Sequence, residues 1–166
     1  DGNVGSGGDG AFTPTRIGSI PVLKLLDYIE ENGIEKVRTM CSRSGGFVSY
    51  FGTSVFKKIY ELVQKKDPKA TLVYEAMIYQ ICKSIGSMAA VLEGRADGIV
   101  LTGGLLRFDD VLEGITRRCG FIAPIASYPG ECEQEAMAAG AMRVLTGEEK
   151  ALTYPGKPVW NGFEDE

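Results

Sequence analysis

The chain contains no histidine, and it is poor in cysteine, in basic runs and in long uncharged apolar runs. Without histidine, no Ser-His or Cys-His catalytic pair can be assembled from these residues alone. The four cysteines, Cys41, Cys82, Cys119 and Cys132, lie far apart and form no C-x-x-C pair. They therefore read as reduced cytosolic thiols rather than metal ligands or disulfides, and a cytoplasmic location is expected. Lys and Arg number 18 against 22 Asp and Glu, with no basic run longer than Lys65-Lys66. The positive footprint that a nucleic-acid backbone requires is missing. The most apolar segment, Leu72 to Leu92, carries Glu75, Gln80 and Lys83, so it makes a poor membrane span, and no signal peptide precedes it.

What is present is a globular composition, 44% apolar and 24% charged over 166 residues, enough for one domain with a real core. Glycine is the excess, with 22 residues. The chain opens without Met in a glycine-rich turn, as though it were part of something longer. No internal repeat is found.

Ser19 as N-cap, Pro21 in the first turn and Val22, Leu25, Leu26 and Ile29 at helical spacing predict a helix ending at Asn32-Gly33. A glycine-bearing link, "SGGFVSYFGTS", leads to a second helix over about 53–66. Asp67-Pro68 then supplies a cap followed by a first-turn proline. The helix it opens runs to Leu92, about 37 Å, and Gly94 stops it. Its apolar residues cover most of the circumference, which predicts a spine packed on several sides. "DGIVLTGG" reads as a buried strand ending in a tight turn, and a helix near 110–118 follows. "FIAPIAS" reads as a second buried strand, followed by a last helix with acidic residues in its first turn. Two strands joined by a helical crossover imply parallel pairing and an α/β layer structure. The tail from Tyr154 reads as irregular.

Four groups of residues could carry chemistry. Gly5, Gly7 and Gly10 fit the G-x-G-x-x-G of a dinucleotide turn, but no strand-turn-helix context surrounds them, and the next helix starts some ten residues later. There is no G-x-x-x-x-G-K-[ST] either. Thr102-Gly103-Gly104 sits at the carboxyl end of a predicted strand, where backbone amides can approach a nucleotide, although a plain strand-to-helix turn explains the same spacing. Glu131, Glu133 and Glu135 after Pro129-Gly130 could face a hydrated magnesium ion, or simply complement a helix dipole. Arg16, in a loop beside glycines, could brace an anion or be an ordinary solvated side chain.

Taken together, these segments resemble the carboxyl-terminal half of a butyrate kinase, of the acetate-kinase group within the sugar kinase, actin and chaperone-ATPase superfamily. The most specific part is "LVYEAMIYQICKSIGSMAAVLEGRADGIVLTGG", similar to that family's long helix and nucleotide-side strand. "IAPIASYPGECEQEAMAAGAMRVLTGEEKALTY" resembles its closing segment with a P-G-E-x-E turn. The opening resembles a stretch reading D-x-N-N-A-x-x-G-x-G-P-F-[ST]-P-x-R-x-G.

The resemblance implies a ribonuclease-H-like, actin-like ATPase fold, incomplete here. Residues 1–153 would be the C-terminal nucleotide-binding domain without its N-terminal hairpin, and 154–166 an irregular tail. It implies ATP/ADP and Mg²⁺ as cofactors, and reversible phosphoryl transfer to butyrate or another short-chain carboxylate, giving an acyl phosphate. It also implies a homo-oligomeric full-length protein. By the same resemblance Arg16 contacts the transferring phosphoryl group or the carboxylate, Thr102, Gly103, Gly104 and Gly130 line the nucleotide, and Glu133, with Glu131, helps hold Mg²⁺ through its water shell. That chemistry spreads negative charge over phosphoryl oxygens, which cations and amides must meet.

Three departures qualify this reading. The partner domain and a glycine-rich phosphate loop of the family are not in this chain, so the chain alone is expected not to turn over. "YFGTSVFKK" puts Val55 and Lys57 where the family's "YLGTxDxRE" has Asp and Arg. Val4 and Ala11 replace an asparagine and a proline. A catalytically silent binding or assembly module is the rival expectation, and an NAD-dependent oxidoreductase a remote third.

Overall fold

The computed structural model describes residues 10–130 and 132–156, in two compact units that divide after Gly130. The first holds α1 (Val22–Asn32), α2 (Ile34–Thr39), a π-helical turn (Met40–Ser44), α3 (Gly46–Phe51), α4 (Phe56–Gln64) and α5 (Pro68–Val91). It continues with β1 (Ile99–Gly103), a 3-10 turn (Gly104–Arg107), α6 (Asp109–Cys119) and β2 (Ile125–Pro129). The second unit holds α7 (Glu133–Leu145). Strands β1 and β2 pair in parallel, with Ile99 opposite Ile125 and Gly103 opposite Pro129. The expected α/β architecture with helical crossover is therefore present.

Helix α5 forms where local chemistry demands it. The Asp67 carboxylate accepts the Ala70 N–H at 2.8 Å, and Pro68 occupies the first turn, where its missing N–H costs nothing. Ala70, Val73, Tyr74, Met77 and Ile78 are buried in the first half of this helix. Val73, Tyr74, Met77 and Ile78 join Phe12, Phe47, Phe56, Ile59, Leu106, Val111, Ile115 and Cys119 in one core. Past Ile85 the helix opens to solvent, with Val91 72% exposed, and Leu72 and Tyr79 are exposed even in its first half, so the packing around it is narrower than its apolar circumference predicts. Between its outer end and the start of β1 lies an apolar cavity of about 310 Å³ beside Ile85, Met88, Ile99 and Ile122.

The strands are not buried on both faces. Ile99 and Leu101 pack against the core, while Val100 and Tyr128 are 68% and 61% exposed. The β-branched run suggested two covered faces because parallel strands usually have them. In this unit α5 and α6 meet at the core side only, and the alternation of a one-sided sheet results. Strand β2 also begins later than the apolar run predicts. Phe121 is exposed in a turn after α6, and Pro124, which has no N–H to give a ladder, instead accepts the Ile99 N–H at 2.8 Å.

Helix α1 starts at Val22 with Pro21, not Ser19, in the cap position, and no side chain caps it. The Ser19 N–H is engaged elsewhere, donating to the Gly10 carbonyl at 2.9 Å and closing the loop 10–19. No residue of α1 is buried, and Val22 and Leu26 are 69% and 50% exposed. The glycine-bearing link of the sequence reading is α3, a helix short enough to escape a periodicity test.

Candidate active site

Arg16 sits in a loop whose backbone is held on three sides. Within the loop, the Thr13 N–H donates to the Arg16 carbonyl at 3.1 Å, and the Arg16 N–H donates to Thr13 Oγ1 at 3.0 Å. The Gly45 N–H donates to the Thr15 carbonyl at 2.9 Å, the Val48 N–H to the Pro14 carbonyl at 3.0 Å, and the Ile17 N–H to the Met40 carbonyl at 3.1 Å. From α5, the Gln80 side-chain carbonyl accepts the Phe12 N–H at 3.0 Å. The Arg16 side chain emerges from this frame into solvent and meets no carboxylate among the described residues.

Gly45 and Gly46 explain how the loop comes so close. A methyl group at Gly46 would overlap the Thr13 carbonyl, and one at Gly45 the Met40 carbonyl and the Ile17 N–H. Gly46 also has φ +53°, the left-handed region that side chains avoid. These two glycines and Gln80 escaped the sequence reading. The only signal was an adjacent glycine pair ahead of a helix, and a polar residue inside an otherwise apolar helix.

The second cluster lies at the carboxyl ends of the strands. Gly103 and Gly130 carry φ of 108° and 110°, and the Gly130 N–H donates to the Gly103 carbonyl at 3.1 Å. Thr102, Gly103, Gly104 and Gly130 thus lie together at the carboxyl ends of the two strands. Thr102, opposite Tyr128, faces outward. The 3-10 turn that follows puts Arg107 beside Gly130, with Leu106 buried and Phe108 against the Phe56 and Tyr60 rings at 4.7 and 4.9 Å.

An aromatic column joins the two clusters. Phe12 packs edge-on to Phe47 at 5.9 Å, Phe47 meets Phe56 at 5.7 Å, and Phe56 meets Phe108 at 4.7 Å. The Arg16 loop and the Arg107 turn therefore stand on the same core. Beside it, Asp110 accepts from the Tyr60 hydroxyl at 2.8 Å and from Gln64 at 2.9 Å, tying α6 to α4. The hydrogen bond to Asp110, then burial, push the Tyr60 hydroxyl above its ordinary range. It is a structural proton donor at neutral pH.

Glu133 opens α7 in the second unit, exposed and without an ion pair among the described residues. Glu135 shares its first turn, where both complement the dipole. Glu131 lies outside the described residues, as do Val4 and the opening glycines up to position 9. Among the described residues no three His, Cys, Asp or Glu side chains gather closely enough to cage a metal. A single free carboxylate suits a magnesium ion that keeps most of its waters and leans on substrate phosphates, so Glu133 fits that limited role. All four cysteines are free. No described helix is long and apolar enough to cross a membrane.

The departures from the family pattern can also be placed. Val55 stands at the N-cap of α4 and offers no side-chain acceptor, while its own N–H donates to Thr53 Oγ1 at 3.2 Å. Lys57 is exposed in the first turn of that helix.

Comparison with known proteins accords with this geometry. The fold is shared with an acetate kinase from Porphyromonas gingivalis at a TM-score of 0.72 and 20% identity, over 83% of this chain and 41% of that one. An acetate kinase from Entamoeba histolytica matches at 0.68 and 21%, over 80% of this chain and 43% of that one. A propionate kinase from Francisella tularensis subsp. tularensis SCHU S4 matches at 0.61 and 18%, over 72% and 38%. The chain thus spans about two fifths of the length of each of these proteins. The sequence profile of the acetokinase family matches residues 9–109, more than half of the chain and including both Arg16 and the Thr102-Gly103-Gly104 turn, and the chain belongs to that family.

Proposed function

We propose that the full-length protein is a carboxylate kinase that transfers a phosphoryl group reversibly between ATP and a short-chain carboxylate, butyrate or a close relative, giving an acyl phosphate and ADP. In this reading residues 1–153 form the nucleotide-binding domain on one side of a cleft, and the chain by itself does not turn over. The observation that carries the proposal is the meeting of two left-handed glycines, Gly103 and Gly130, at the carboxyl ends of paired parallel strands. Ligands of open α/β sheets bind at such ends, and Gly103, where an added Cβ would meet nothing within 4 Å, lets a nucleotide approach the backbone.

The residues divide the work by charge. Arg16, with a guanidinium that no carboxylate among the described residues neutralises, would meet the equatorial oxygens of the phosphoryl group as negative charge spreads over them. Thr102, Gly103, Gly104 and Gly130 would line the nucleotide. Glu133, with Glu131, would position Mg²⁺ through water, and the ion when bound neutralises charge on the nucleotide phosphates. Butyrate is favoured over acetate by the match of the long helix and the P-G-E-x-E turn to butyrate kinases.

The test is acyl phosphate formation by the full-length protein with ATP, Mg²⁺ and a series of short acids, trapped with hydroxylamine. A signal strongest with butyrate is expected. No product above background with any acid would overturn the enzymatic reading, and a maximum at acetate would overturn the choice of substrate.

A second reading is supported by Val55, whose position at the α4 N-cap leaves no acceptor where the family carries an aspartate. In it the protein is a silent homologue that serves assembly. Calorimetry on the full-length protein separates the two, because micromolar ATP binding contradicts silence, whereas no binding alongside a stable oligomer supports it.

A further inference from the structure

We propose that Arg107 is a binding residue for the phosphate groups of the nucleotide, a role that rests on the reading of the Gly103–Gly130 edge as a nucleotide site. Four observations support it. First, the backbone on either side of Arg107 is fixed, with Leu106 buried in the core and Phe108 packed on Phe56 and Tyr60, so the side chain projects from a rigid base. Second, the guanidinium lies over Gly130. A methyl group there would stand 3.2 Å from Nη2, 3.7 Å from Nε and 3.8 Å from Cζ, so the glycine leaves the room that the guanidinium occupies.

Third, no carboxylate among the described residues holds it. Asp109 and Asp110 follow within three residues, yet Asp110 is engaged by Tyr60 and Gln64, and neither aspartate pairs with Arg107. Elsewhere Arg38, Arg95, Arg118 and Arg143 each hold a glutamate. Fourth, the position is the carboxyl end of two parallel strands, where the backbone already admits a ligand. A planar fork of donors matches two oxygens of one phosphate at once, which an ammonium cannot do. The chemistry that fits is therefore a doubly charged phosphate or diphosphate, and adenosine alone would gain nothing from this side chain.

The experiment is calorimetric titration of the full-length protein and its Arg107→Ala and Arg107→Lys variants with ADP and, separately, with adenosine. For Arg107→Ala we expect ADP affinity to fall about 10- to 100-fold, the usual effect of losing a charge-assisted hydrogen-bonding partner, with adenosine affinity unchanged. Arg107→Lys should restore part of the loss but not all. Equal ADP affinity in wild type and Arg107→Ala overturns the proposal, as does a parallel loss for ADP and adenosine, which would mark a merely structural role. Failure of the wild-type protein to bind ADP overturns the nucleotide site itself and the Arg107 role with it.

Discussion

The side-chain carbonyl of Gln80 accepts a hydrogen bond from the backbone N–H of Phe12 at 3.0 Å, across 68 residues of sequence. It is the contact by which the long helix α5 holds the loop that bears Arg16. Replacing it with leucine keeps the bulk and removes the acceptor, leaving a half-buried N–H without a partner. Gln80→Leu should destabilise the fold by about 1–3 kcal/mol, measured by urea unfolding. In the full-length protein it should lower turnover without abolishing it.

Gly46→Ala should be worse than its chemistry suggests. The left-handed backbone at φ +53° alone costs about 1–2 kcal/mol for a residue with a Cβ, and here the methyl group also meets the Thr13 carbonyl. Gly33→Ala is the control: φ is +83°, but nothing lies within 4 Å, so only the conformational cost should appear. Thermal unfolding of both variants should show the larger loss at Gly46.

Asp67→Ala removes the one side chain that caps α5 and should cost about 1 kcal/mol by chemical denaturation. Asparagine at the same position should retain most of the stability, because its amide oxygen can accept the same N–H.

Arg16→Ala in the full-length protein should lower kcat about 10³-fold if the guanidinium acts on the transferring phosphoryl group, by comparison with arginines of the same duty. An unchanged kcat in the hydroxylamine assay would remove Arg16 from the reaction.

Thiol chemistry should separate the cysteines. Burial, then a hydrogen bond shared with Cys119, push the Cys82 thiol up to about 11, whereas Cys132 is exposed. Iodoacetamide at pH 8 should modify Cys132 first and leave Cys82 and Cys119 until the protein unfolds. The fold favours the protonated thiol, so the Cys82 contribution to stability is complete below the usual thiol value of 9.0 and declines as pH rises towards about 11.

How much of this was legible in the sequence depends on whether the governing contact was local. Asp67-Pro68 announced α5 correctly because a cap acts over three residues. Ser19 suggests a cap that does not exist because the helix starts only at Val22 with Pro21 in the cap position, and Ser19 instead closes the preceding loop through its N–H to Gly10, a partner that no helix signal reveals. Thr102, Gly103 and Gly130 could be singled out as turns at strand ends, but their meeting depends on the parallel register of β1 with β2. Gly45 and Gly46 read only as part of a glycine-bearing link. They are a place where two backbones touch, and such closeness belongs to the tertiary structure alone. The outward face of Val100 goes unread for the opposite reason, since the apolar run suits a covered strand and only the fold shows which side the helices take.

The aromatic column from Phe12 to Phe108 has a mechanical consequence. Because the Arg16 loop and the Arg107 turn are both braced against these rings, neither can be displaced independently without breaking face and edge contacts between phenylalanines. Any closing movement around a ligand must then carry both cations as one rigid jaw, with the flexing confined to segments outside the column. Small substitutions in the middle of it, at Phe47 above all, should be felt at both ends at once.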